Sequence, residues 1–291
     1  MQRLVECVPN FSEGRKPQTV QQIASAISAV ETACVLDRHI DPDHNRSVIT
    51  FVATPERAVE AAFAAVKRAS ELIDMRVHQG VHPRLGATDV LPFVPIRGVT
   101  LDDCVALAHE AGRTIARELS IPVYYYESAA LLPDRVNLED VRRQGRVQST
   151  PDEGPAAFHQ SAGAVVVGAR PFLIAFNVVL SSVDVLIARQ IARTIRARNG
   201  GLPYLKALGF QLETRGLVQV SMNLVNYQVT GMGDAYAAIR SEADALGVEI
   251  ESTEIVGLVP RDALDREAEY FRKLENFSEE TILENQIARC Y

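Results

Sequence analysis

The sequence predicts an α/β protein of the α+β type, built as two similar split β-α-β subdomains with mixed or antiparallel sheets. Three observations support this. At 291 residues the chain exceeds a comfortable single-core length. Strand-like apolar runs alternate with helical patterns from the first residues onward. That alternation weakens after Glu127 and starts again near Arg170 with the same order of elements, which sets the expected boundary between residues 1–170 and 171–291.

In the first part, RLVECV reads as a strand, KPQTVQQIASAISAV as a helix, and ACVLDRHI and RSVITFVAT as two further strands. PERAVEAAFAAVKRASELIDM has apolar residues at helical spacing, with Thr54 as N-cap and Pro55 at the first helical position. VLPFVPI is the next strand. LDDCVALAHEAGRTIARELS is a helix whose early aspartates favour its N-terminus, and IPVYYY is a strand. LLPDR, RRQGR and STPDEGP mark a loop-rich connector over 127–163, ordered only where a ligand or the neighbouring domain supplies order. AVVVGA, an apolar strand, follows it. In the second part FLIAFNVVL, a helix over about 183–198, LKALGFQLE, LVQVSMNLV, a helix over about 234–246 and VEIESTEIVGLV repeat the β-α-β-β-α-β order. The stretch from Arg261 reads as helix packed on this unit. In both units the helices are expected on one face of the sheet.

The composition narrows the function. An apolar fraction of 47% with 23% charged residues is that of a packed globular chain. Lys and Arg total 30 against 37 Asp and Glu, so the net charge of −7 disfavours nucleic acid as a partner. A pocket can still gather a few arginines around a small anion. Cys7, Cys34, Cys104 and Cys290 include no CxxC pair, and their spacing suggests neither a zinc knuckle nor a disulfide framework. The N-terminus lacks the features of a signal peptide, and no apolar run is long enough for a bilayer. A soluble cytoplasmic protein with no membrane partner is expected.

Four of the six histidines fall in two short clusters between regular elements, His39 and His44 in RHIDPDHNR and His78 and His82 in VHQGVHPRLGATD. One reading is a metal site completed by Asp41, Asp43 and Asp89. Gly80 between His78 and His82, and Pro83 after them, oppose the helix that would align the two imidazoles, so this is the weaker reading and no metal is expected. The other reading is acid-base catalysis by one histidine, with Arg46 and Arg84 beside the clusters as forks for substrate carboxylates. GPAAFHQSAG, residues 154–163, would let a flat ligand approach the backbone, or would serve as an interdomain linker; it matches neither the phosphate loop nor the dinucleotide fingerprint.

LVECVPNFSEGR at 4–15, DHNRSVITFV at 43–52, VHPRLGATDVLPFVP at 81–95 and GARPFLIAFNVVL at 168–180 together resemble the glutamate formimidoyltransferase family. QVSMNL at 219–224 and EIVGLVP at 254–260 continue the resemblance in the family's order. It implies two α/β subdomains facing a folate-binding groove, in a homodimer. It implies transfer of a formimidoyl group from N-formimidoyl-L-glutamate to N5 of tetrahydrofolate, the co-substrate, without a metal. The catalytic histidine corresponds to His82. The assisting acidic position of animal enzymes corresponds to His39, with Asp41 the nearest acidic substitute. The folate-contacting segment corresponds to Gly154, Pro155, Ala156, Ala157, Phe158, His159, Gln160, Ser161, Ala162 and Gly163. The resemblance covers the transferase half only, so any cyclodeaminase activity is expected on a separate chain. The alternatives are formyl transfer from 5-formyltetrahydrofolate to glutamate, formimidoylglycine as donor, a metal-dependent hydrolase, and a folate-binding protein without turnover.

Overall fold

The computed structural model describes residues 2–80, 84–146, 149–275 and 277–291. His82, expected to be the catalytic histidine, lies outside the described residues. The fold is mixed α/β with two sheets, and the chain divides into compact units at Met1–Pro171 and Phe172–Tyr291.

The first unit contains β1 (Leu4–Cys7), β2 (Asn10–Phe11), α1 (Pro17–Ser28), β3 (Cys34–Asp41), β4 (Arg46–Ala53), α2 (Pro55–Leu72), β5 (Thr88–Arg97), α3 (Leu101–Leu119), β6 (Val123–Glu127), α4 (Leu138–Arg146) and β7 (Val165–Ala169). Proline opens α1 and α2 at positions whose N–H would have no helical partner. A capping box between Thr100 and Asp103 starts α3. The seven strands form one mixed sheet: β3 pairs β4, β4 pairs β1 and β2, these pair β5, all antiparallel, and β7 and β6 extend the β5 edge in parallel.

Alternation along the strands assigns the two faces. On β6, Val123 and Tyr125 join the large core under α1, α2 and α3, while Tyr124 and Tyr126 join a second cluster on the other face. The alanine stripe of α2, including Ala58, Ala61, Ala62, Ala65 and Ala69, is wholly buried and lets the helix lie close to its neighbours.

Two expectations are corrected here. Residues 127–163 are rich in loops, as expected, but they carry a short helix and take their order from their own unit rather than from a ligand or the neighbouring domain, and the helices do not all lie on one face. After a 3-10 turn at Pro133–Arg135, α4 packs on the second face, with Val141 in the cluster of Leu85, Val90, Tyr124, Tyr126 and Val166. The segment is fastened within its own unit. Arg135 pairs with Asp152 at 2.8 Å, both side chains buried, and the Tyr124 hydroxyl donates to the Ser149 carbonyl at 2.6 Å. The proline signals are real and mark the irregular chain on either side of a short helix, which Leu138 and Val141 anchor.

The second unit contains β8 (Ile174–Leu180), α5 (Val185–Ile195), β9 (Leu205–Leu212), β10 (Leu217–Leu224), α6 (Met232–Ala245), β11 (Ile250–Val256), α7 (Glu269–Arg272) and α8 (Leu283–Cys290). Its antiparallel sheet has the order β11-β8-β10-β9. Phe176, Val178, Val218, Val220 and Met222 meet α5 and α6 in one core. The stretch from Arg261 is mostly 3-10 turns and short helices rather than one helix, with Tyr270 held edge-on to Phe176 at 5.6 Å between ring centroids.

Candidate active site

The β3–β4 hairpin organises one end of the first sheet. RHIDPDHNR does not fall wholly between regular elements as the sequence suggested: His39 and Asp41 lie in β3 and Arg46 opens β4, with Asp41 opposite Arg46 across the ladder. Only residues 42–45 turn. Strand alternation puts Asp37, His39 and Asp41 on one face. Asp41 accepts from the backbone N–H of His44 at 2.9 Å and contacts His44 Nδ1 at 2.5 Å. These bonds hold the Asp41 carboxyl below the usual carboxylate range despite the opposing effect of its burial. His44 itself is buried.

Asn45 takes a left-handed conformation with φ 47°, which asparagine tolerates. Its Oδ1 accepts from Gly14 N at 2.9 Å, and its Nδ2 donates to the Gln79 carbonyl at 2.7 Å and lies 3.3 Å from His78 Nδ1. The hairpin, the chain after β2 and the segment carrying His78 are thereby tied together. Gly14 is required by the close approach: a Cβ there would stand 2.1 Å from the Asp41 carbonyl oxygen. Arg84 bonds His78 Nε2 and the Gly80 carbonyl. Burial first, then Arg84, push His78 down to about 4, so it is neutral near pH 7.

Arg46 donates to Asn10 Oδ1, and Asn10 donates to the Val8 carbonyl at 2.7 Å. Burial, and then the nearby Arg142, lower Arg46 to about 10, opposed by Asp89 and Asp41. Asp89 stands at an irregularity where Asn10 faces Val90 and Phe11 faces Thr88, leaving Asp89 as the extra residue of a bulge. So aimed, it accepts from Leu85 N at 2.8 Å and pairs with Arg142 of α4 at 2.5 Å.

Residues 154–163 are no interdomain linker. Ala87 N donates to the Ala162 carbonyl at 2.8 Å, Ala164 N to Leu85 at 3.1 Å, and Met75 N to Ser161 at 2.7 Å. Gly163, with φ 72°, lies so close that a Cβ would be 2.2 Å from the Leu85 carbonyl oxygen. His159 Nδ1 accepts from Ala162 N at 3.0 Å, and Phe158 meets Tyr124 edge-on. Gly154, Pro155, Ala156 and Ala157 are exposed.

The structure thus gathers Asp41, Arg46, Arg84 and the 154–163 segment around strands β2, β4 and β5, while the relation of each to His82 lies outside the described residues. Among the described residues, no group of three His, Cys, Asp or Glu is placed to hold a metal ion. Sequence reasoning named His44 and Asp89 without giving them their present roles, and missed Asn45, Asn10 and Arg142. For Arg142 the only available signal was the pair of acidic residues opening LEDVRRQGR, which favours a helix start. Chemically the site offers a carboxylate–histidine pair, guanidinium groups and an exposed stretch of small residues at 154–157.

Comparison with known proteins identifies the family. Residues 4–170 match the formiminotransferase domain, N-terminal subdomain, and residues 175–290 match the formiminotransferase domain. The chain is 46% identical to a glutamate formimidoyltransferase of Thermoplasma acidophilum, over 99% of this chain and 98% of that protein. It is 42% identical to that of Streptococcus pyogenes serotype M1, over 99% of both. It is 43% identical to the formimidoyltransferase-cyclodeaminase of Rattus norvegicus, over 91% of this chain but 51% of that protein, about half its length. On both family matches and full-length identity, the chain belongs to the formiminotransferase domain family.

Proposed function

We propose that this enzyme is a glutamate formimidoyltransferase, moving the formimidoyl group of N-formimidoyl-L-glutamate to N5 of tetrahydrofolate. The observation that carries this is identity of 46% and 42%, end to end, with two proteins of that name. In the reaction, N5 attacks the amidine carbon to form a new C–N bond and a tetrahedral intermediate. The bond from that carbon to the glutamate nitrogen then breaks, and the nitrogen leaves with a proton. His82 takes the proton from N5 and returns it to the glutamate nitrogen, help worth about a hundredfold to ten-thousandfold. Arg46 and Arg84 bind substrate carboxylates, and residues 154–163 carry the folate. Asp41 and His39 assist the proton transfer from their shared strand face.

The finer fold reading, two similar split β-α-β subdomains, belongs to this proposal. It is supported by the first four long strands of unit one, paired in the order β3-β4-β1-β5, against β9-β10-β8-β11 in unit two, with helices in matching places. A homodimer in the cytoplasm completes the reading, and sedimentation equilibrium tests the dimer.

One observation favours a second assignment of the shuttle. The 2.5 Å contact between Asp41 Oδ2 and His44 Nδ1 fixes an imidazole in the manner of an oriented acid-base catalyst. A coupled assay of 5-formimidoyltetrahydrofolate formation decides. His82→Ala should lose about two to four orders of magnitude in kcat with folate affinity retained. If His82→Ala keeps its turnover and His44→Ala loses it, the shuttle is His44; no turnover in the parent chain would sink the transfer reading.

A further inference from the structure

We infer that Arg142, together with Arg46, forms a subsite for a carboxylate of the bound substrates, on the face of the first sheet covered by α4. The inference deepens the transferase reading and rests on it.

Arg142 is delivered to the site by α4, the helix that the sequence conceals, and its side chain is only 13% exposed. One edge of its guanidinium is used: Nη2 donates to Asp89 Oδ2 at 2.5 Å, while Asp89 Oδ1 is taken by Leu85 N at 2.8 Å. Its Nε–H is buried and makes no hydrogen bond among the described residues. A buried guanidinium N–H without an acceptor is costly, and an oxygen of a bound anion is the group that would meet it.

The charges around it point the same way. Arg142 bonds Asp89 at the bulge where β5 pairs with Asn10, and Arg46 donates to that same Asn10, so the two arginines flank one stretch of the β2–β5 ladder, close enough for Arg142 to disfavour protonation of Arg46. Arg170 stands within electrostatic reach of Glu6 and Tyr126, and Arg142 also reaches Tyr126. Near these three cations stand Asp89, which is bonded to Arg142, Glu127, which is also within electrostatic reach of Tyr126, and Glu6, which burial lifts to about 7 so that it is only partly ionised near neutrality. Asp41 also reaches Arg46 but is engaged with His44. An incoming carboxylate would meet the buried Nε–H of Arg142, and its two oxygens match a guanidinium fork. That chemistry occurs twice in the reactants, in the amino-acid part of the donor and in the glutamate tail of the folate.

The test is steady-state kinetics of the full chain and of Arg142→Gln and Arg142→Lys, varying each substrate in turn, with equilibrium binding of tetrahydrofolate and of tetrahydropteroate, which lacks the glutamate. Arg142→Gln should raise KM for one substrate by about tenfold to a hundredfold, with kcat changed much less, and Arg142→Lys should recover part of the loss. A rise confined to formimidoylglutamate assigns the donor carboxylate. Weaker binding of tetrahydrofolate with unchanged tetrahydropteroate assigns the folate tail. Unchanged constants in a folded Arg142→Gln overturn the inference, as does equal weakening of tetrahydrofolate and tetrahydropteroate with no change toward the donor. Should Arg142→Gln fail to fold, Arg142→Lys decides alone, because lysine keeps a cation for Asp89 but loses the fork: constants equal to the parent's overturn the inference. A parent chain without turnover would refute the transferase reading, while the two binding titrations and a titration with formimidoylglutamate would still test the subsite.

Discussion

Single atoms set the form of the site. At Gly163 the backbone is in the left-handed region with φ 72°, and the Leu85 carbonyl occupies the place of a Cβ. Gly163→Ala should therefore destabilise the chain by roughly 2 kcal/mol or more, through backbone strain and displacement of Leu85. It should also weaken folate binding, since the strand of contacts from Leu85 to Ala164 holds the 154–163 segment in place. Urea denaturation beside a folate titration checks this; an alanine variant of parental stability would show that the approach is looser than described. His44 offers the opposite lesson. Its partner Asp41 lies three residues away, but only the tight turn of 42–45 closes the contact, and proximity in sequence alone left His39 equally eligible.

At the scale of elements, α4 is decisive. It is short, strongly charged and opened by Glu139 and Asp140, and its attachment to the sheet depends on few apolar side chains, Val141 among them. Val141→Ala removes two buried carbon groups and should cost about 1.5–3 kcal/mol. Because α4 also carries Arg142, the same change should raise KM more than it lowers kcat. A loss of stability with KM unaltered would separate the helix from the site. Long elements such as α2 and α3 were legible because fifteen or more residues of helical periodicity average out local exceptions. A helix as short as α4 gives too little periodicity to outweigh the Pro signals on either side of it. The bulge at Asp89 is equally hidden, since it follows from how β2 and β5 are paired and not from the composition of either strand.

For the whole molecule, a half-buried histidine and a buried carboxyl oppose each other as pH changes. Burial lowers His78 to about 4, so the unfolded chain takes up more protons between about 4 and 6.5, and stability rises with pH across that window. Burial raises Glu6 from 4.5 to about 7, so the folded chain holds its proton more tightly and stability falls as pH rises from 4.5 through 7. Between 4.5 and 6.5 the two slopes act against each other. Glu6→Gln should unmask the rising slope of His78, and the stability of the variant relative to the parent should increase by roughly 2 kcal/mol between pH 5 and pH 8. Urea midpoints at both pH values measure this, and a difference independent of pH would show that Glu6 is not the group responsible. The sequence by itself determined the alternation of strands and helices, the major helices, and, through long shared stretches, the family. Those properties are local, or are spread over many residues, so each is repeated often enough in the chain to be read. Tertiary structure alone decided which face α4 covers, where Asp89 points, and that Arg142 meets Asp89 from 53 residues away. Such contacts depend on strand register and on the burial of a few side chains, and no local pattern of residues encodes either.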